Sequence, residues 1–284
     1  LIDEVKPSFF GDILRLSRNI KKQQFDVSIS LFSEARTSIS LWLAGVRIRV
    51  GPATKLAQLF LNKKLKQKRS RSLKPEFEYN LDLVRHFISL NGDESSIQTS
   101  PPYLCFDDEV ISRLKTEFCR TNGIDKNTRL ITIHPGTGGS AINLSLQQYA
   151  TLARNIADKA DVFFVITAGP GELDVANKLS ELLEKVNHTV HESSGGIVDF
   201  SRFINICDLF ISGSTGPLHI AGALNVNTAA FYPARQSATS LRWETLNAEE
   251  KRISFSPSEY TGENDMQQID IEQAASDISN KFFI

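Results

Sequence analysis

The 284-residue sequence predicts an α/β protein whose second half is a doubly wound parallel sheet. Three observations carry this prediction. From about residue 125 onward, short apolar runs alternate with segments of helical periodicity, as repeated strand–helix units require. Glycine-rich turns follow two of those runs, at residues 134–140 and 213–216. Ser145, with Gln148 three residues on, reads as a capping box that opens the helix between the first two runs.

The elements follow in order. In the first half, residues 25–31 read as a strand, 38–44 as a helix, and 80–90 as a helix with Leu81, Val84 and Ile88 on one face. Residues 107–127 read as a linker. The second half offers strands at 129–134, 162–167, 208–212 and 227–232. Between the first two, Leu146, Tyr149, Ala150, Ala153, Ile156 and Ala157 recur at helical spacing. A further helix over 173–185 has Leu173, Ala176, Leu179 and Leu183 as its stripe, another spans 197–206, and 270–283 reads as a terminal helix.

Composition bounds the function. With 41% hydrophobic and 23% charged residues, the chain is globular and long enough for two domains, and its formal net charge of −1 argues against a surface committed to nucleic acid. Cys105, Cys119 and Cys207 are odd in number and widely spaced, which disfavours a disulfide framework or a zinc site and favours a reducing compartment. No run approaches the roughly 18 apolar residues of a membrane span.

Ser214-Thr215-Gly216-Pro217-Leu218-His219 follows a strand and starts a helix, the build of an anion site. Pro217 suits the first helical position, Gly216 permits close approach, and His219 lies in the first turn, where it can donate to a phosphate oxygen. The bland reading is an ordinary turn with a core histidine. The loop His134-Pro135-Gly136-Thr137-Gly138-Gly139-Ser140 supplies N–H groups and two hydroxyls at another strand's end. Glu172, after Gly169-Pro170-Gly171, suits either ribose hydroxyls or the dipole of the helix it begins. Neither G-x-G-x-x-G nor a P-loop signature is present, which argues against hydride and ATPase chemistry.

These motifs in this order, with Phe231-Tyr232-Pro233 and Arg242-Trp243 after them, resemble glycosyltransferase family 9, the ADP-heptose:lipopolysaccharide heptosyltransferases and their relatives. The stretch from Phe25 to Leu31 and Arg49-Val50-Gly51 are similar to that family's N-terminal domain. The resemblance implies the GT-B architecture: two Rossmann-like parallel-sheet domains, here with the N-terminal one incomplete. It places an acceptor-side domain at 1–115, a nucleotide-sugar domain at 116–268, and a closing helix at 269–284 that packs back onto the first domain. It implies inverting transfer of a sugar, heptose being the first guess, from a nucleoside-diphosphate donor such as ADP-heptose to a lipid-linked saccharide of the lipopolysaccharide type. No metal or other cofactor is expected.

By position, Gly136, Thr137 and Gly138 match the family's donor-phosphate loop, Glu172 its ribose-contacting acid, and Ser214, Thr215, Gly216 and His219 its diphosphate-binding helix start. Two departures stand out: Ile142-Asn143-Leu144 replaces a lysine and Trp-Pro pair, and Ser214 replaces a frequent aspartate. The family's opening strand and Gly-Asp turn precede a segment like residues 1–5, so the chain reads as lacking its native N-terminus. Gly11-Asp12 is a weak substitute for that turn, and Asp12 the corresponding candidate base.

Residues 55–74 hold eight cations, among them Lys63, Lys64, Lys66, Lys68, Arg69 and Arg71. The candidate partner is an anionic membrane surface, against a solvated loop; no nucleic acid partner is expected. The expected location is cytoplasmic, peripheral on the inner face of the inner membrane. A nucleotide-sugar-binding module without turnover, and an epimerase or hydrolase on the same fold, remain open.

Overall fold

The computed structural model describes residues 9–90, 92, 100–139, 141–258 and 264–283. The chain divides into two compact units, 1–97 and 98–284. This boundary lies ahead of the one expected at 115/116: the Tyr103 and Leu104 N–H groups donate to the Ala223 carbonyl, and Leu104, Phe106, Ile111 and Leu114 pack on the second unit's core. Residues 1–5 and Ser140 lie outside the described residues.

The first unit contains α1 (Phe9–Gln23), β1 (Val27–Ile29), α2 (Ala35–Leu43), β2 (Ile48–Pro52), β3 (Lys63–Leu65) and α3 (Glu76–Ser89). Its strands form a parallel sheet in the order β1-β2-β3, with Val27 opposite Ile48 and Val50 opposite Lys63. Helix α1 packs on α2, where the Ser40 hydroxyl donates to the Ile13 carbonyl at 3.2 Å. The strand expected over 25–31 keeps only its centre, since Phe25 and Leu31 are exposed. Helix α3 begins before residue 80: Pro75 stands at its N-cap and Glu76 and Glu78 favour the positive end of its dipole.

Gly11-Asp12 lies in the first turn of α1 and not in a strand-to-helix turn. Asp12 pairs with Arg15 at 2.9 Å and Arg36 at 3.7 Å, so helix geometry and two guanidinium groups replace the context expected of a base. The basic segment is likewise more ordered than a loop. Lys63 and Lys64 belong to β3, and Arg69 pairs with Glu76 at 2.7 Å and donates to Asn80 Oδ1 at 3.1 Å. Its guanidinium thus ties the turn that follows β3 to α3. Lys63, Lys64, Lys66, Lys68 and Arg71 are exposed.

The second unit runs α4 (Asp108–Asn122), β4 (Arg129–His134), α5 (Leu146–Ala157), β5 (Val162–Ala168), α6 (Leu173–Glu181), β6 (His188–Glu192), α7 (Gly196–Asn205), β7 (Leu209–Gly213), α8 (Gly216–Ala223), β8 (Asn227–Phe231), α9 (Ser240–Trp243), β9 (Arg252–Phe255) and α10 (Ile271–Phe282). Its six parallel strands are ordered β6-β5-β4-β7-β8-β9. Helices α5, α6 and α10 cover one face, with Tyr149, Leu152, Ile156, Leu179 and Ile278 buried against Ile131, Ile133 and Ile166. On the other face α4, α7 and α8 bury Cys119, Phe203, Ile204 and Leu218 against Leu130, Val165 and Phe210. Two covered faces explain why the central strands read as unbroken apolar runs.

The linker expected over 107–127 is mostly the helix α4. Asp107 caps it by accepting from the N–H groups of Glu109 (3.0 Å) and Val110 (3.1 Å), and Gly123, at φ +66°, ends it in the left-handed region. Ile271, Ala274, Ala275 and Ile278 of the terminal helix are buried in the second unit's core, where α10 packs on α5. Strands β6 and β9 were not expected from the sequence.

Replacing Asp107 with Ala is expected to cost about 1 kcal/mol, the usual loss of an N-cap, read as a lower urea midpoint at unchanged slope.

Candidate functional site

Strands β4 and β7 lie side by side, yet the chain leaves them in opposite directions, through α5 to β5 and through α8 to β8. A crevice opens at such a switch point, beyond the carboxyl ends of the strands. The ends are tied together. Ser212 donates from Oγ to the His134 carbonyl at 3.0 Å, and its oxygen meets Thr215 Oγ1 at 3.1 Å. Thr215 is thereby turned inward, and no side chain caps α8. Pro217 has no N–H to lose, so the remaining leading N–H groups of α8 are left to a ligand.

A cavity of about 490 Å³ occupies this place. Ser214, Thr215, Gly216 and His219 line one side, and Gly139, Ala141 and Ile142 from the first glycine loop line another. The segment after β8 completes it with Pro233, Arg235, Ser237, Ala238 and Trp243. The two glycine-lined corners therefore converge. His219 lies half-buried 6.2 Å from the Trp243 ring, and burial pushes its pKa down, so near neutral pH it serves as an uncharged hydrogen-bond partner.

Gly136, Thr137, Gly138 and Glu172 do not line the cavity. Glu172 clasps the loops beside it: one carboxylate oxygen accepts from the Gly138 N–H at 2.8 Å and the other from the Gly169 N–H at 3.1 Å. Gly136 is buried because the carboxylate fills the space of a side chain; a Cβ there would lie 2.2 Å from Glu172 Oε2. Gly138 (φ +54°) and Gly139 (φ +76°) supply the left-handed backbone that carries the loop round. The buried His134 ring touches the same carboxylate at 3.6 Å, too long for a hydrogen bond. Burial lowers its pKa against the pull of Glu172, and the neutral ring bonds Thr167 Oγ1 at 3.0 Å. The clasp rests on the backbone donors.

A family model for glycosyltransferase family 9 (heptosyltransferase) matches residues 13–268. The chain belongs to glycosyltransferase family 9. A Haemophilus influenzae protein named "Putative glycosyltransferase" is 39% identical over 94% of this chain and 78% of its own length. Among solved structures, a family 9 glycosyl transferase from Veillonella parvula superposes with a TM-score of 0.76 at 17% identity, covering 96% of this chain and 79% of that one. The Escherichia coli ADP-heptose lps heptosyltransferase II gives 0.70 at 16% identity, over 96% and 81%. These likenesses show a common fold of the GT-B heptosyltransferase kind, and family membership makes the chain a heptosyltransferase-like transferase.

Three residues of this family 9 site were given no site role by the sequence. Asn143 donates to the Pro135 carbonyl at 3.1 Å and accepts from Tyr149, and its Oδ1 lies where a Cβ on Gly213 would come within 2.6 Å. It pins the first loop against the end of β7. Arg235 and Trp243 reach the cavity from beyond β8, and the placement of that strand beside β7 brings them there. A second cavity, of about 580 Å³, opens between α4 and α7 near Glu192 and contains none of the sequence-predicted residues. Among the described residues no cluster of His, Cys, Asp or Glu could hold a metal ion, and no helix is long and apolar enough to cross a membrane.

Glu172→Gln tests the clasp. A neutral amide offers one acceptor oxygen to two N–H donors, so one amide is orphaned at a cost of about 1–3 kcal/mol. The expected readout is faster hydrogen exchange at Gly138 or Gly169, with a lower midpoint of unfolding.

Proposed function

We propose that this chain is an inverting glycosyltransferase that moves a sugar from a nucleoside diphosphate to a lipopolysaccharide-type acceptor, without a metal. ADP-heptose is the first donor to try, a choice supported by family membership and by the name of the E. coli heptosyltransferase II. The observation that carries the reading is the convergence of both glycine corners and the uncapped start of α8 on one cavity.

In the reaction, an acceptor hydroxyl oxygen bonds to the anomeric carbon as the bond to the diphosphate breaks, and the hydroxyl proton passes to a base. Negative charge grows on the departing diphosphate. Backbone N–H groups at the start of α8 and the neutral His219 stabilise it without reorganising, because the turn already holds them in place. Closure over the site would exclude water.

The chain is assayed by thermal shift and by diphosphate release with a panel of sugar nucleotides, in the presence and absence of a lipid-linked saccharide. Acceptor-dependent release is expected, and His219→Ala should lower kcat/KM by about tenfold or more, as removal of a donor to a developing anion does. Stabilisation without release would identify a binding module, and acceptor-independent release a hydrolase.

We also propose that the exposed lysines of the first unit, Lys63, Lys64, Lys66 and Lys68, meet an anionic membrane surface on the cytoplasmic side, where a lipid-linked acceptor is held. Each cation contributes about 1 kcal/mol near such a surface. Replacing all four with Ala should therefore abolish co-sedimentation with phosphatidylglycerol vesicles at low salt. Unchanged co-sedimentation would remove this part of the reading.

A further inference from the structure

Among the described residues that line the donor cavity, one carries a formal charge. Arg235 projects from the turn that follows β8, where its carbonyl accepts the Ala238 N–H at 2.8 Å and so fixes the backbone that presents it. Among the described residues no carboxylate lines the cavity and Arg235 makes no ion pair. The other described polar groups that border the space are neutral: the hydroxyls of Ser214, Thr215 and Ser237, the indole of Trp243, and His219, whose imidazole burial keeps uncharged near neutral pH. Three charged side chains next to the site are engaged: Glu172 is held by the Gly138 and Gly169 N–H groups, the Arg242 guanidinium lies 5.6 Å over the Trp243 ring, and Glu244 meets the Arg252 guanidinium at 3.2 Å. A guanidinium facing a cavity whose described lining holds no carboxylate, with uncapped helix N–H groups on another side, is matched to an anion with several oxygens.

We infer that Arg235 is the cation that grips the diphosphate of the donor from the β8 side of the cavity. The guanidinium and the start of α8 then hold the same group from two sides, and Arg235 sets the preference of this site for diphosphates over uncharged nucleosides. This assignment rests on the donor reading above. It gives the site a charge that no residue of either glycine-rich loop supplies, and it makes donor affinity depend on ionic strength.

The test is isothermal titration of the full chain with ADP, CDP, GDP and UDP, followed by the best binder and its parent nucleoside on Arg235→Ala, Arg235→Lys and, as a control for overall charge, Arg113→Ala. Arg113 lines the other cavity. The side chain of Arg235 is exposed, so all variants should unfold with the wild-type midpoint in the absence of ligand. Arg235→Ala should weaken the diphosphate by about tenfold to a hundredfold, as loss of a charge-assisted contact does. It should leave the nucleoside within about twofold and flatten the salt dependence. Arg235→Lys should recover part of the loss, and Arg113→Ala should change nothing. Diphosphate binding by Arg235→Ala equal to that of wild type overturns the assignment and leaves the donor reading standing. A wild-type chain that binds none of the four nucleotides overturns both.

Discussion

The two strands at the switch point, β4 and β7, must end at the same level and stay there, because each hands the chain to a helix on a different face of the sheet. Apolar packing cannot fix that alignment alone, since it is tolerant of small slides along the strand direction. The polar contacts across the ends can. Ser212 on His134, and Thr215 on Ser212, are buried bonds that lose their partners if either strand shifts. A buried hydroxyl without a partner costs more than its bond gains when made, so the contacts act on register more strongly than their number suggests. The cavity inherits its shape from this alignment.

Beyond the strand ends, the site divides its tasks between residues that hold loops and residues that face the cavity. Glu172, Gly136, Asn143 and His134 belong to the first kind; Ser214, Gly216, His219 and Arg235 to the second. The division matters for catalysis because a donor group lowers a barrier only if it is in place before charge develops. Glycine-rich turns are poor at this when left to themselves, having more conformations to lose than any other sequence. The Glu172 carboxylate removes that freedom by binding two loops at once, and the space for it exists because Gly136 lacks a side chain.

The second unit was largely legible because its central strands are covered on both faces and its helices carry clear stripes. The capping box at Ser145 and Gln148 is present with both reciprocal bonds. What escaped has common physical causes. Strands β6 and β9 sit at the sheet edges, where His188–Glu192 and Arg252–Phe255 are mostly half-buried and need no apolar run. Helix α4 carries many charges around a narrow stripe, so composition spoke for a linker while Asp107 and Gly123 already marked its two ends. The loops were found from glycine and hydroxyl content, but that content does not separate a residue that touches ligand from one that braces the loop. Glu172 and Gly136 are braces, and Arg235 is invisible to motif reasoning because its importance comes from strand order alone.

The electrostatic balance of the cavity bears on turnover as much as on binding. A transferase must hold the leaving diphosphate more tightly as the sugar bond breaks, yet release it afterwards, and uniform tight binding of donor and product would slow the cycle without helping the chemical step. Several fixed cations would bind the product at least as well as the donor. Among the described lining residues the formal charge is one exposed guanidinium, beside N–H dipoles and an imidazole kept neutral by burial. Dipoles fixed by the backbone respond to charge where it appears and carry no net charge to retain it at long range. On the proposed reaction, one exposed cation beside a neutral cradle of backbone dipoles would favour the moment of bond breaking over the states on either side of it.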